Sequence, residues 1–434
     1  MLNLIKKTLN SYFKELAALG YETIEWVLSG AIIGASVGIL MVIFRVLLVN
    51  FSDLTSPAFN NLYGTLLLPT LGLFLAGIII HKVPIASGHG TNHIIRAILH
   101  NKPIKIITLP AKFLATILTL CMGGSGGREG PALQMATSIG EKLSQILKLK
   151  TIPREYVVIS AVSASFGAMF HAPIAGAVFG CEVLLLRGIK YAPLLTCMFS
   201  SLFAFFISWL FQPRPLLVIP AQLLKYQISA THVPLFVVFG LMIGIVGPLY
   251  IGVFRGMQKL FDNIKIKIYF RTAIGGFLTG LVIWFVHSYT NGNYTVRGMS
   301  TMSLALILRQ AWQIPISVLL IVMIGKMIAT NLTVGSGASG GLVMPTLFFG
   351  ACLGILLARL IGFNAIVLGA TGMLGFFGAV AHVPVAMTFL AVELFNASFL
   401  LPVAIVGLIG SWILSYHSLY PAVEIPNAEA KLKI

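Results

Sequence analysis

The nine residues Gly123-Gly124-Ser125-Gly126-Gly127-Arg128-Glu129-Gly130-Pro131 hold five glycines and two opposite charges between apolar flanks. Glycine lets a backbone turn tightly and aim several bare N–H groups at one point. Where such a turn opens a helix, those groups and the positive end of the helix dipole hold an anion without a fixed positive charge. Two more breaks of this kind, Ser87-Gly88-His89-Gly90 and Gly335–Pro345, also precede apolar runs. Partial charges suit passage better than capture, because a full lysine–anion pair in low dielectric would not let go. The ligand these breaks fit is a small inorganic anion. Glycines that serve only close helix packing are the competing explanation, but three breaks, two of them repeat-related, argue against it. A phosphate-binding loop would need a Gly-Lys-Ser/Thr ending that Gly123–Glu129 lacks.

Glu129 is the residue of this stretch that can change charge. A carboxylate beside an anion site competes for it when ionised and leaves when protonated, which makes Glu129 a gate or a proton carrier. The alternative is a carboxylate tied to Arg128 or to a backbone amide. Of the twelve acidic residues, Glu129, Glu182 and Glu393 are the ones within apolar surroundings. Glu182 and Glu393 recur in equivalent places and read as structural groups at helix ends. His171 and His382, each before an alanine or valine and a proline, read as helix-end histidines and not as metal ligands. No cofactor and no metal is called for. A membrane-embedded hydrolase using Glu129, His171 or His382 would need a nucleophile with a base in the same motif, and no HExxH spacing occurs.

The elements that position these residues are set by composition. The chain of 434 residues is 58% hydrophobic and 9% charged, against roughly 25% charged in soluble domains. An all-α polytopic membrane protein follows, with spanning candidates Ile32–Val49, Leu66–Ile80, Tyr191–Leu210, Phe236–Gly252, Ile316–Ile328 and Leu401–Ser415. Several are shorter than a full crossing and read as broken or re-entrant helices. A cation carrier is disfavoured by the scarcity of carboxylates. The net charge of +17 does not point to nucleic acid. Its basic residues cluster between apolar runs (Lys142, Lys148, Lys150, Arg154; then Arg255, Lys259, Lys265, Lys267, Arg271) as cytoplasmic loops do. Cys121, Cys181, Cys197 and Cys352 fall in apolar segments as small core residues.

An internal repeat organises the whole. KFLATILTLCMGGSGGREGP from Lys112 matches KMIATNLTVGSGASGGLVMP from Lys326 at a constant offset of 214, and Phe166–Pro173 matches Phe377–Pro384 at 211. Repeats of this kind build a substrate site at their interface from discontinuous helices. Facing helix N-termini favour inverted over parallel halves. The expected division is an amphipathic surface helix over 1–27, a first membrane repeat over 28–212, a connection over 213–232, a second repeat over 233–418 and a short tail over 419–434. That tail leaves no room for a soluble regulatory domain.

With these motifs in hand, the chain resembles the CLC family of chloride channels and chloride/proton antiporters over nearly its whole membrane region. Gly127-Arg128-Glu129-Gly130-Pro131 is the most specific signature. The resemblance implies a homodimer of inverted-repeat subunits with tilted and re-entrant helices in the bacterial inner membrane, each subunit carrying chloride or a similar anion. It makes Glu129 the external gating glutamate, with Arg128 and Gly130 beside it. It gives anion coordination to the backbone N–H groups of Leu342 and Val343, in a Gly341–Pro345 motif where Val343 replaces the usual Phe. Tyr420 matches the tyrosine whose hydroxyl helps coordinate the ion. The first motif departs: His89 and Gly90 stand in Gly88-His89-Gly90-Thr91-Asn92, where the family has Gly-Ser-Gly-x-Pro. His89 replaces the serine that sets anion preference, and either donates to the ion or only faces the inner vestibule. Val183 stands where the antiporters carry an internal proton glutamate. The resemblance therefore leans to passive conduction, with proton-coupled exchange of chloride or fluoride as the alternative.

Overall fold

Proline and glycine punctuate the chain into helices. The computed structural model describes residues 2–148, 152–184, 188–213 and 220–423; side-chain detail begins at residue 23 and omits 222 and 230. Eight helices are long and apolar enough to cross a bilayer: those within Thr23–Asn60, Leu62–Lys82, Leu194–Phe211, Val233–Asp262, Ile268–Tyr289, Ile316–Gly335, Val343–Ile361 and Ala397–Leu414. Between them lie pieces too short to cross, including Thr91–Leu99, Pro173–Glu182, Thr301–Arg309 and Pro384–Leu394. The chain is a multi-pass, all-α membrane protein. Backbone helix runs unbroken over Leu2–Thr55, so the segment expected as a separate surface helix leads straight into the first span. The amphipathic face expected there lies outside the described side chains, as do Lys150 and residues 214–219 of the connection.

Two spans, Ile268–Tyr289 and Val343–Ile361, add to the six candidates read from the sequence. Ile268–Tyr289 has the lowest mean hydropathy of the eight, 1.5, because it starts among the basic residues, and Val343–Ile361 begins inside a glycine break. For the same reason the basic cluster 255–271 is not simply a loop. Arg255 lies within the Val233–Asp262 helix and donates to Ser418 O at 2.6 Å. Arg271 lies within the Ile268–Tyr289 helix and donates to Ser336 O at 3.0 Å and to Asp262 at 3.0 Å.

Close approach of helices rests on small residues. Gly30, Gly34 and Gly38, four apart on the first helix, face the backbone of Thr196, Ser200 and Ala204 on Leu194–Phe211. A Cβ at any of the three would force the pair apart, so the contact depends on their absence.

The two halves are joined by reciprocal contacts. Glu182 ends one short helix, and its carboxylate accepts from Val385 N (3.1 Å) and Ala386 N (2.7 Å) at the start of the other. Glu393 returns the contact, accepting from Ile174 N (2.9 Å) and Ala175 N (2.8 Å). Each carboxylate therefore fills the orphan amides of the opposite helix and faces the positive end of its dipole. Pro173 and Pro384 begin these helices, where a missing N–H costs nothing, and His171 (φ 55°) and His382 (φ 56°) make matching left-handed turns before them. Contacts that exchange in this way define a pseudo-two-fold axis. The paired helices are antiparallel, so the axis lies across them and the halves are inverted.

Candidate anion site

The glycine breaks meet on that axis. Gly127 N donates to Gly341 O at 2.7 Å and Gly341 N to Gly127 O at 2.5 Å, a symmetric exchange between the halves. The Glu129–Leu147 and Val343–Ile361 helices start from this bridge and lead away from it. Gly88 N donates to Gly337 O at 3.2 Å, and Gly340 N to Gly88 O at 3.4 Å. A fourth turn, around Gly298, mirrors that pairing on the other side: Gly126 N meets Gly298 O at 3.0 Å and Gly298 N meets Gly124 O at 2.9 Å. The backbone torsions match as well, with φ of 61° at Gly88 and 53° at Gly298, and of 100° at both Gly123 and Gly337. Only glycine takes φ near 100° without strain.

The fourth turn was not visible as a break, because Ser300 (φ 56°) occupies the place of Gly90 (φ 86°) and leaves Gly298 alone. Its helix, Thr301–Arg309, follows this turn as Thr91–Leu99 follows Gly90. The first amides of each have no partner within their own helix.

Two lysines hold the flanking turns, and both are fully buried. Lys112 Nζ donates to the carbonyls of Ala86 (2.9 Å), Ser87 (3.3 Å) and Gly88 (2.6 Å). Lys326 Nζ donates to Val296 O (3.2 Å), Gly298 O (2.6 Å) and Ser125 Oγ (3.0 Å). Three acceptors around each Nζ match the three donors of an ammonium. None of these six partners is a carboxylate. The sequence signal for this pair was their match across the repeat, where they are the charged residues shared by the stretches 112–131 and 326–345.

Glu129 is 2% exposed and Arg128 3%. Backbone N–H groups of Arg128, Glu129 and Met344 face the Glu129 carboxylate, while its Oε2 has no hydrogen-bond partner. The side chain thus folds back across Gly127 to the start of the opposite helix, where an anion held by the amides of Leu342, Val343 and Met344 would sit. Arg128 faces Glu129 and Arg45. A Cβ on Gly127 would collide with Glu129 Oε2. Gly127→Ala is therefore expected to expel the Glu129 side chain while keeping the carboxylate itself. Its transport should lose the steep pH response of the parent, read as flux into vesicles across a pH series.

The remaining predicted residues gather on the other side. Gly90 stands against Gly130, close enough that a Cβ would lie 3.0 Å from Gly130 O. His89 is buried with its ring 5.4 Å from that of Tyr420. Tyr420 is 1% exposed, and its hydroxyl lies near the side chain of Thr91. Leu419 N donates to Val380 O at 2.7 Å, which fixes the segment. Leu342 and Val343, buried as side chains, offer backbone only. Val343 therefore stands in for Phe without altering what the amides present.

Known proteins carry the same architecture. An uncharacterized protein of Methanocaldococcus jannaschii is 28% identical over 390 residues, 90% of this chain and 93% of its own. A chloride/fluoride channel protein of Pseudomonas syringae pv. tomato is 27% identical, covering 84% of this chain and 79% of its own. Among solved structures, a CLC-type fluoride/proton antiporter superimposes with a TM-score of 0.80 at 25% identity over 92% of this chain and 97% of its own. A slow cyanobacterial Cl-/H+ antiporter shares the fold at 0.80 and 20% identity, over 94% and 99%. The family model described as voltage gated chloride channel matches residues 71–415. Inverted halves, glycine turns meeting on their axis and a family match over most of the chain agree: this is a transport protein of the voltage gated chloride channel family and not an enzyme.

Proposed function

We propose that the chain passes chloride or fluoride across the bacterial inner membrane, passively, through a site that Glu129 occupies when ionised and leaves when protonated. The observation that carries this reading is the pair of buried lysines, Lys112 and Lys326, whose hydrogen-bond partners include no carboxylate. A lysine protonated in a low-dielectric interior, with neutral acceptors alone around its Nζ, favours an anion nearby. Glu129 supplies one negative charge, and a diffusing anion supplies it when Glu129 is neutral. In this reading the amides of Gly90, Arg128, Gly130, Leu342 and Val343 coordinate the ion, with His89 and the Tyr420 hydroxyl below, and two copies of the chain form a homodimer with one pathway each.

Passive flow is supported by the inner face. Val183 is 1% exposed among apolar neighbours, and the preceding carboxylate, Glu182, spends both oxygens on the amides of Val385 and Ala386. Among the described residues, neither position 182 nor position 183 offers a free carboxylate to relay protons to Glu129. Proton-coupled exchange is the second reading, favoured by the likeness to the fluoride/proton antiporter. Reconstitution into vesicles loaded with sodium chloride, then with sodium fluoride, with anion efflux and proton uptake recorded together, separates the two. Efflux without proton movement is the expected result, and a fixed proton-to-anion ratio would sink passive flow.

A further inference from the structure

The replacement of the first motif's serine and proline by His89 and Asn92 is a matched pair. Asn92 Nδ2 lies 3.1 Å from His89 Nε2, and Asn92 Oδ1 accepts from Ala422 N at 3.2 Å. The second contact fixes the first. A backbone N–H only donates, so the Asn92 atom facing Ala422 is the carbonyl oxygen and the atom facing His89 is the amide NH2. An amide NH2 also only donates, so Nε2 must accept and carries no proton. In a neutral ring the proton then sits on Nδ1, which is buried and has no partner. A second proton on Nε2 would set two donors against each other.

The surroundings work the same way. His93 and Arg96 on the Thr91–Leu99 helix and Lys112 on the Thr108–Cys121 helix are the charges nearest the ring, and all are basic. The Tyr420 ring lies tilted against it at 5.4 Å, and the Phe254 ring meets it edge-on at 6.3 Å. Arg255, next on that helix, is engaged by Ser418 O. None of these offers His89 a negative partner.

Building on the anion pathway proposed above, we infer that His89 serves it as a neutral ligand, donating through Nδ1–H, and that Asn92 is the positioning residue that locks this tautomer and ties it to the Tyr420 segment. The altered motif thus keeps what a serine offers, one uncharged donor, without adding a fixed charge that would trap the ion.

The test uses the full chain labelled with 15N-histidine in lipid nanodiscs, with His89→Gln supplying the assignment by difference. The expected spectrum at pH 7 has a protonated Nδ1 and a bare Nε2; a protonated Nε2, in either the other tautomer or the imidazolium, overturns the inference. That readout does not depend on transport, so it stands or falls apart from the role of Glu129. The Asn92→Asp variant supplies a second measurement, made in a Glu129→Gln background to silence the gate. Aspartate accepts where asparagine donated, so the ring must protonate at Nε2. Chloride and fluoride affinities by calorimetry should then become about tenfold stronger between pH 7.5 and 5.5 as the imidazolium forms, and flat again when His89→Gln is added. An unchanged affinity across that range in Asn92→Asp would overturn the positioning role.

Discussion

Glu129→Gln is expected to carry anions at neutral pH as fast as the parent protein does in acid, with no further response to pH. Glutamine keeps the shape of the protonated side chain and cannot ionise. In the parent, the carboxyl group sits against the amides of Arg128, Glu129 and Met344, and when ionised it competes with the anion for them. Its ionised-to-neutral ratio rises tenfold for each pH unit above the titration midpoint. Parent flux should therefore fall by about tenfold per unit on the alkaline limb, a slope the variant lacks. The sign is fixed by the competitor's charge: lowering pH opens the parent and leaves Glu129→Gln alone. Efflux from chloride-loaded vesicles over a pH series measures both. A variant that keeps the parent's slope would remove Glu129 from the mechanism.

Lys112→Met should be the most damaging change to the scaffold of the site. It deletes the donor shared by Ala86, Ser87 and Gly88, and each buried carbonyl left unpaired costs about 1–3 kcal/mol. It also deletes a cation. At an effective dielectric near 20, a unit charge about 8 Å from an anion contributes ~2 kcal/mol, or about thirtyfold in affinity. Transport is expected to drop by at least about tenfold, with chloride binding by calorimetry weakened in parallel. Lys326→Met should act likewise through Val296, Gly298 and Ser125. Binding at parental strength in a folded Lys112→Met protein would show that the amides suffice and that the buried ammonium is packing only.

Much of this arrangement was legible because duplication writes itself twice. The match of Lys112 with Lys326, of Gly127 with Gly341 and of Glu182 with Glu393 marks the glycine turns and the helix-end carboxylates. Replacement of Glu129 by Val343 in the second half separated the chemistry from the scaffold. What stayed hidden depends on contacts between distant residues. Nothing near Glu182 announces that its partners are Val385 and Ala386, and nothing near Lys326 points to Gly298. The turn at Gly298 was missed because symmetry of backbone does not require symmetry of residue type, as Ser300 opposite Gly90 shows. The Ile268–Tyr289 span was missed because Arg271, a charge that binds Ser336 O from inside the helix, depresses the hydropathy that would have revealed it. The role of Asn92 is hidden in the sequence because its effect is on another side chain.

The exchanged carboxylates also set a timetable for assembly. Ile174 and Glu393 are 219 residues apart, and at roughly 5–20 residues per second the ribosome needs on the order of ten to forty seconds to make the distance. Through that interval the first half sits in the bilayer with the Pro173–Glu182 helix start unfilled and Glu182 without the amides it will bind. The same contacts, swapped between identical chains, are those of a two-fold dimer. A single half could once have met this need by pairing with a second copy of itself. Fusion of the two turned an encounter between molecules into a wait within one.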